Sequence, residues 1–296
     1  MIDPRLLRTF LAVGREGSIS GAARLLNISQ PSVSVAIAQL ERQLHASLFD
    51  RGRRGIALTP SGAVLMRRAE MIEVLLDDTP QAVMLTGQGI RGPLRIGGTP
   101  GALVSLVPAA LARMGKADHM ALHIIERGDA QLNELLQRGQ IEVAVVTTGV
   151  EPTPDDIAER SIVRDPFALI VGRAHDALGP TVSLQDVTDM GWVLPHAGGA
   201  FRRQVEALFL AAEAPLPADV IHCDSLLTSM AIVRGGARIT VLPRRVASSE
   251  LSIGVLRAVP ISGATVTRSI GIRTLADRPL SELGEQFLAA ILALVA

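Results

Sequence analysis

Arg51, Arg53 and Arg54 alternate with Gly52 and precede Gly55, and guanidinium groups at that density on a glycine-bearing turn suit phosphate oxygens. Upstream, Gln30, Ser32, Ser34 and Gln39 are interleaved with the small Val35 and Ala38, and their amide and hydroxyl groups are of the kind that reach base edges in a major groove. A second set of candidates lies in three loops further on. Gly97-Gly98-Thr99-Pro100-Gly101 joins a strand-like run to a helical one, and free amides at such a helix start can hold an anionic ligand. Thr147-Thr148-Gly149 follows an apolar run at 143–146, and His196-Ala197-Gly198-Gly199 opens the segment that contains Phe201, Arg202 and Arg203. Taken singly, each loop also reads as ordinary turn chemistry, and the arginine turn as a solvated one.

Other groups have the residue types but not the context for chemistry. Gly87-Gln88-Gly89-Ile90-Arg91-Gly92 matches the dinucleotide fingerprint letter for letter, but that motif needs a strand before it and a helix after it. Here a helical pattern precedes, and Pro93 with the strand-like Leu94-Arg95-Ile96 follows, so the glycines read as a hinge. His222, Asp224 and Ser225 are neighbours in sequence, yet no Gly-x-Ser-x-Gly elbow surrounds Ser225. His119 and His123 sit at the edge of the strand-like 121–125, where four-residue spacing does not bring two rings to one metal. Cys223 is the sole cysteine, too few for an intramolecular disulfide or a thiolate cluster, and is expected to be a small core residue. No catalytic residue, metal site or cofactor is assigned, and the chain is not expected to be an enzyme.

The elements that must position these groups follow from periodicity. Leu6, Leu7, Phe10, Leu11 and Val13 mark a first helix, broken between Gly14 and Gly17. Ser18 can cap a second helix whose paired Ala22 and Ala23 permit a tight crossing. After the turn Asn27-Ile28, Ser29 can cap a third, with Val33, Ile37, Leu40 and Leu44 on one stripe and the polar candidates on the opposite face. The stretch from Leu48 to Thr59 reads as two short strands around the arginine turn, a wing. Thr59-Pro60 starts a further helix carrying Leu65, Met66, Met71, Ile72, Leu75 and Leu76, a stripe that a lone helix cannot bury. That stripe either meets a second subunit or packs against its own domain. Pro80 either kinks this helix or, with Thr79, caps a second piece of it.

From residue 94 onward, β-rich runs at 94–97, 121–125, 143–146, 167–171, 192–194, 220–223, 239–242 and 269–273 alternate with helical stretches, the mark of α/β architecture. Such sheets bind ligands beyond the carboxyl ends of their strands, where the three loops fall.

Composition and charge fit that division. The 296 residues are 48% apolar and 20% charged, enough for packed cores and more than one module. The formal net charge is zero, but residues 1–70 hold ten arginines against five carboxylates, a net +5 balanced by −5 over the remainder. The basic footprint of a nucleic-acid partner is therefore confined to the N-terminal segment. Asp3, Pro4, Arg5 and Arg8 interrupt any signal-peptide core, and the longest apolar runs, such as 288–296, fall short of the roughly 18 residues that suggest a membrane span. A cytoplasmic protein is expected, with no membrane partner. The missing export signal also counts against a solute-binding receptor.

The order of these features is more specific than any one of them. Phe10, Gly17-Ser18, Ala22-Ala23, Leu25, Ser29-Gln30-Pro31-Ser32, Ser34, Ile37, Leu40-Glu41, Leu44, Leu48-Phe49, Arg51, Leu58-Thr59 and Gly62 together resemble the N-terminal signature of the LysR-type transcriptional regulators. The resemblance spans essentially the whole chain and implies an α+β protein. It gives a winged helix-turn-helix over 1–59, a linker helix and hinge over 60–90, and an α/β effector domain like a periplasmic binding protein over 91–296. The effector domain would divide into subdomain I, about 91–165 and 268–296, and subdomain II, about 166–267, with crossover strands near 163–166 and 268–270. Ser18, Ser29, Gln30, Pro31, Ser32, Ser34, Val35, Arg51, Arg53 and Arg54 would then meet DNA. Many members carry arginine just after the serine that is Ser34 here, where this chain has Val35 and Ala36. Thr99, Pro100, Gly101, Thr147, His196, Gly199, Phe201 and Thr240 would line the effector cleft, and Val241-Leu242-Pro243 fits the family's pattern of a strand ending at proline. The implied partners are double-stranded DNA at a pseudo-palindromic operator, a small polar or anionic effector, further copies of the chain as homodimer or homotetramer, and RNA polymerase.

Overall fold

The computed structural model describes residues 2–52, 55–115, 119–150, 152–197, 200–263 and 266–294. They fall into two compact units, one built on residues 1–93 with 119–121 and 134–141, the other on 94–118, 122–133 and 142–296.

The first unit opens with three helices, α1 (Pro4–Glu16), α2 (Ile19–Leu26) and α3 (Gln30–Leu44). Polar side chains set their starts: Ser18 accepts from the Gly21 N–H at 3.0 Å and Ser29 from the Ser32 N–H at 3.2 Å. Left-handed residues set their ends, Gly17 at φ 61°, Asn27 at φ 55° and His45 at φ 51°. The first break falls at Gly17 alone, since Gly14 remains helical. Phe10, Val13, Ala22, Val33, Ile37, Leu40 and Leu48 form the core, with Phe10 and Phe49 rings 5.1 Å apart. Strands β1 (Phe49–Gly52) and β2 (Gly55–Leu58) pair antiparallel, from Phe49 opposite Leu58 to Gly52 opposite Gly55.

Helix α4 (Pro60–Gly87) is capped by Thr59, whose hydroxyl accepts from the Gly62 N–H at 3.0 Å. It passes the residue before β1 so closely that a Cβ on Gly62 would lie 2.0 Å from the Leu48 carbonyl oxygen, so only glycine fits there. The helix is continuous through Pro80, so neither a second cap nor a split occurs. Pro80 is exposed, and the neighbouring Thr79 hydroxyl bonds the Leu75 carbonyl at 2.6 Å. Leu65 and Met66 pack on the core of this unit, whereas Val64, Ile72, Leu75, Leu76, Val83 and Met84 are exposed.

The remainder alternates strand and helix: β3 (Arg91–Gly98), α5 (Pro100–Met114), β4 (Met120–Glu126), α6 (Asp129–Gln137), β5 (Val143–Thr148) and β6 (Ile157–Val171) come first. Then follow β7 (Trp192–Leu194), α7 (Ala200–Ala211), β8 (Val220–His222), α8 (Leu226–Gly235), β9 (Thr240–Pro243), α9 (Ser248–Ser252), β10 (Arg257–Pro260), β11 (Thr267–Leu275) and α10 (Glu282–Leu292). The main sheet runs β10-β6-β11-β5-β3-β4, with β9 also on β6, while β7 and β8 pair in parallel. The run at 167–171 is only the second half of a fifteen-residue strand. Residues 157–166 of β6 pair with β11, and 167–171 pair with β9 and β10 instead. β6 thus changes partners at Pro166/Phe167, and β11 pairs with β5 on its other edge. Two apolar clusters pack around the second half of β6, one including Trp192, Phe209 and Val241, the other Ile170, Met230 and Leu242. Sequence periodicity gives no strand at Arg257–Pro260, because four residues ending in proline show no alternation and pair only through a distant partner.

Candidate functional site

Two surfaces collect the candidate residues. On α3, Val33, Ile37 and Leu40 are buried, and Gln30, Pro31, Ser32, Val35 and Ala38 are exposed half a turn or so away. Ser34 is half-buried. Ser29 is exposed and its hydroxyl lies 2.7 Å from that of Ser32, so both hydroxyls sit at the first turn, where helix amides are free. Ser18 is half-buried, and its oxygen is engaged as the α2 cap. Arg51 lies in β1, at the mouth of the hairpin, and Arg53 and Arg54 lie outside the described residues. The unit therefore presents a helix with small and polar side chains outward beside a two-stranded wing.

The second surface is a cavity of about 620 Å³ in the α/β unit. Its walls come from the carboxyl ends of strands: Thr99 after β3, Arg127 after β4, Thr147 in β5, His196 after β7 and Asp224 after β8. Seven of the eight residues chosen from sequence line it, namely Thr99, Pro100, Gly101, Thr147, His196, Phe201 and Thr240. Gly199 lies outside the described residues.

These side chains are differently occupied. Thr99 makes no side-chain cap bond to α5, so its hydroxyl is not committed to the helix start. The Thr240 hydroxyl donates to the Val193 carbonyl at 2.7 Å and is buried, so it holds β9 to β7 before anything else. Phe201 stacks on Phe167, rings 6.3 Å apart. His196 is fixed by Asp224, through its backbone N–H at 2.9 Å and its ring Nδ1 at 3.1 Å, with the His222 ring 5.5 Å away.

Sequence reasoning missed the charged floor of the cavity. Arg268, on β11, is 4% exposed, and its Nη2 donates to the Gly101 carbonyl, the Ser105 hydroxyl and the Asp165 carboxylate, the last at 3.2 Å. Asp165 is fully buried and also accepts from the Arg245 N–H at 3.0 Å. Burial pulls the Arg268 guanidinium below its ordinary basicity, and the nearby Asp165 carboxylate opposes that shift. Its Nε is buried without a partner. A Cβ on Gly101 would sit 2.7 Å from Nη1, so glycine is what admits the guanidinium beneath the α5 start. The available signal was an arginine just before the apolar part of β11, between Thr267 and Ser269, but its partner Asp165 is 103 positions away.

Two other expectations change. Cys223 is half-buried on the cavity wall, with its Sγ 3.5 Å from the Ser225 carbonyl, and packs at the edge of the cluster around Ile170, Met230 and Leu242 rather than inside it. It follows the short β8, whose Ile221 and His222 are themselves exposed, so the chain is already at the surface when it reaches the cysteine. The neighbours His222, Asp224 and Ser225 are not joined as a triad. Asp224 binds His196, and the Ser225 hydroxyl caps α8, accepting from the Thr228 N–H at 3.3 Å. Among the described residues no group of three His, Cys, Asp or Glu side chains converges to hold a metal ion. No helix among them is long and apolar enough to cross a membrane.

A winged helix-turn-helix in the same chain as an α/β unit with a strand-end cavity defines a class: DNA-binding proteins with an attached ligand-binding module. Comparison with known proteins gives the family. The model of the bacterial regulatory helix-turn-helix protein, lysR family, matches residues 4–63, and that of the LysR substrate binding domain matches residues 87–296. The chain belongs to the LysR family of transcriptional regulators; it is a DNA-binding transcriptional regulator with an effector-binding domain, and its family and relatives are regulators rather than enzymes. It is 30% identical over 292 residues to the HTH-type transcriptional regulator GbpR of Azospirillum brasilense, covering 97% of this chain and 85% of that protein. It is 28% identical to the nitrogen assimilation regulatory protein nac of Klebsiella aerogenes, covering 98% and 94%. In fold it is similar to a full-length OxyR variant from Pseudomonas aeruginosa, with TM-score 0.65 and 22% identity over 98% of this chain and 95% of that one. It is also similar to full-length CbnR complexed with its target DNA, with TM-score 0.61 and 23% identity over 98% and 99%.

Proposed function

We propose that the 620 Å³ cavity binds a small effector, anionic rather than cationic, and that its occupancy changes how the winged helix-turn-helix engages an operator. The observation that carries this is the convergence of Thr99, Gly101, Thr147 and His196 on one cavity floored by the buried Arg268. The volume suits a ligand of tens of atoms or fewer. Gln30, Pro31, Ser32, Ser34 and Val35, with Ser18 and Ser29 at helix starts, form the DNA face, and Arg51, Arg53 and Arg54 grip phosphate. The functional divisions are a DNA-binding domain at 1–59, a linker at 60–90 and an effector domain at 91–296. Within the last, subdomain I (91–165 and 268–296) and subdomain II (166–267) meet where β6 changes partners.

The exposed apolar stripe of α4, Ile72, Leu75, Leu76 and Val83, pairs with a second copy in a homodimer or homotetramer, which matches a two-fold operator. Effector binding closes the cavity, the subdomains rotate, and the linker carries the change to the paired wings and to RNA polymerase in the cytoplasm. A thermal-shift screen of small organic acids and sugars, followed by operator titration with each hit, tests the reading. A hit that raises the melting temperature is expected to alter DNA affinity or bending. Identical DNA binding, bending and transcription with every tightly bound hit would overturn it.

A further inference from the structure

The exposed face of α3 holds one side chain that neither packing nor solvation explains. Val35 is 62% exposed, although β-branched apolar residues contribute little to a solvated helix surface. At 100° per residue it lies diametrically opposite the buried Val33, Ile37 and Leu40. Pro31 one turn before it and Ala38 one turn after are also exposed, so an apolar ridge runs along the outermost line of the helix. The long polar groups flank this ridge: Gln30 lies on one side at the first turn and Gln39 on the other. Around it the N-terminal segment carries a net charge of +5, which fits an anionic partner and not an apolar protein surface.

A major-groove floor displays donors, acceptors and a single apolar group, the C5-methyl of thymine. An isopropyl group on the outermost line of a helix laid in that groove is therefore complementary to thymine and finds no methyl group to meet at any other base. We propose that Val35 selects a thymine in each operator half-site through its methyl group, with Ala38 too small to compete for the same position. Gln30, five residues or about 1.4 turns earlier, lies at the exposed start of the helix. The proposal rests on α3 being the recognition helix.

The test uses the full-length protein and operators enriched from a random duplex library. In the enriched operator each thymine is replaced in turn by deoxyuridine, which removes the methyl group and nothing else. One thymine per half-site is expected to be sensitive, with affinity falling about fourfold for each methyl lost, the effect of uncovering one methyl group. In V35A the same replacement is expected to be neutral within about 1.5-fold, while the other thymines behave as in the unaltered protein. Because Val35 is exposed, V35A is expected to keep its melting temperature. Tolerance of deoxyuridine at every position by the unaltered protein would overturn the proposal without touching the recognition helix. So would equal sensitivity in V35A. Failure to enrich any sequence would instead overturn the assignment of α3 itself.

Discussion

Replacing Asp165 by alanine removes the counter-charge of a guanidinium that is itself 4% exposed and withdraws the acceptor of the Arg245 N–H. Breaking a buried pair from one side costs about 3–5 kcal/mol, because the remaining charge stays desolvated. For a unit of about 200 residues that corresponds to a fall in melting temperature of roughly 10 °C. The variant Asp165→Asn separates the contributions: it keeps an acceptor for Arg245 but not the charge, so most of the loss is expected to persist. The double variant Asp165→Leu with Arg268→Met removes both charges and leaves the Arg245 N–H short of a partner, about 1–2 kcal/mol, while the Ser105 hydroxyl keeps its bond to the Gly101 carbonyl at 2.6 Å. It is therefore expected to be more stable than Asp165→Leu or Arg268→Met alone, each of which leaves one buried charge without its partner. The sole tryptophan, Trp192, is fully buried in the α/β unit, so its fluorescence during urea unfolding reports this unit directly. Losses in the double variant equal to the sum of the two single losses would refute the reasoning, since they would mean that Asp165 and Arg268 do not act as a pair.

Three further outcomes follow from the packing and the charge. Gly62→Ala places a methyl group 2.0 Å from the Leu48 carbonyl oxygen, to which backbone must yield; a loss of about 3 kcal/mol in the N-terminal unit is expected, read as lost near-UV signal or early helix melting with Trp192 fluorescence unchanged. Arg53→Ala with Arg54→Ala is expected to weaken binding on every duplex and to lower the salt slope by about two for each bound protomer, whereas Gln30→Ala is expected to relax preference at one position per half-site; equal effects of both on all operators in a salt titration would contradict the division into phosphate and base contacts. Leu75→Glu with Leu76→Glu places two charges on exposed positions of α4; sedimentation is expected to show a smaller assembly with an unchanged helical spectrum.

Legibility in the sequence tracks the distance over which a feature is built. The helices α2, α3 and α4 were readable because their causes are local: Ser18, Ser29 and Thr59 each cap one of them through an N–H three residues on, and Val33, Ile37 and Leu40 repeat at helical spacing. Local spacing was also enough to show that Gly87 to Gly92 lack the strand-before-helix context of a nucleotide loop, since α4 precedes them and β3 follows. It was not enough for Pro80, where a cap, a kink and an unbroken helix are all compatible with the same local sequence. The strand Arg257–Pro260 was invisible because it exists only by pairing with β6 some ninety positions earlier.

The three loops that first suggested a site were found by turn chemistry, one strand end at a time, and their residues line one cavity. Residue order alone dictates a basic head of three capped helices and a wing, followed by an α/β remainder with polar loops at its strand ends. The folded chain was needed to show that these loops enclose a common volume, and that its floor is a buried cation held by Asp165 from 103 positions away. Caps and amphipathic stripes act over a few residues, whereas a cavity and a buried ion pair arise where β6 and β11 bring remote segments together.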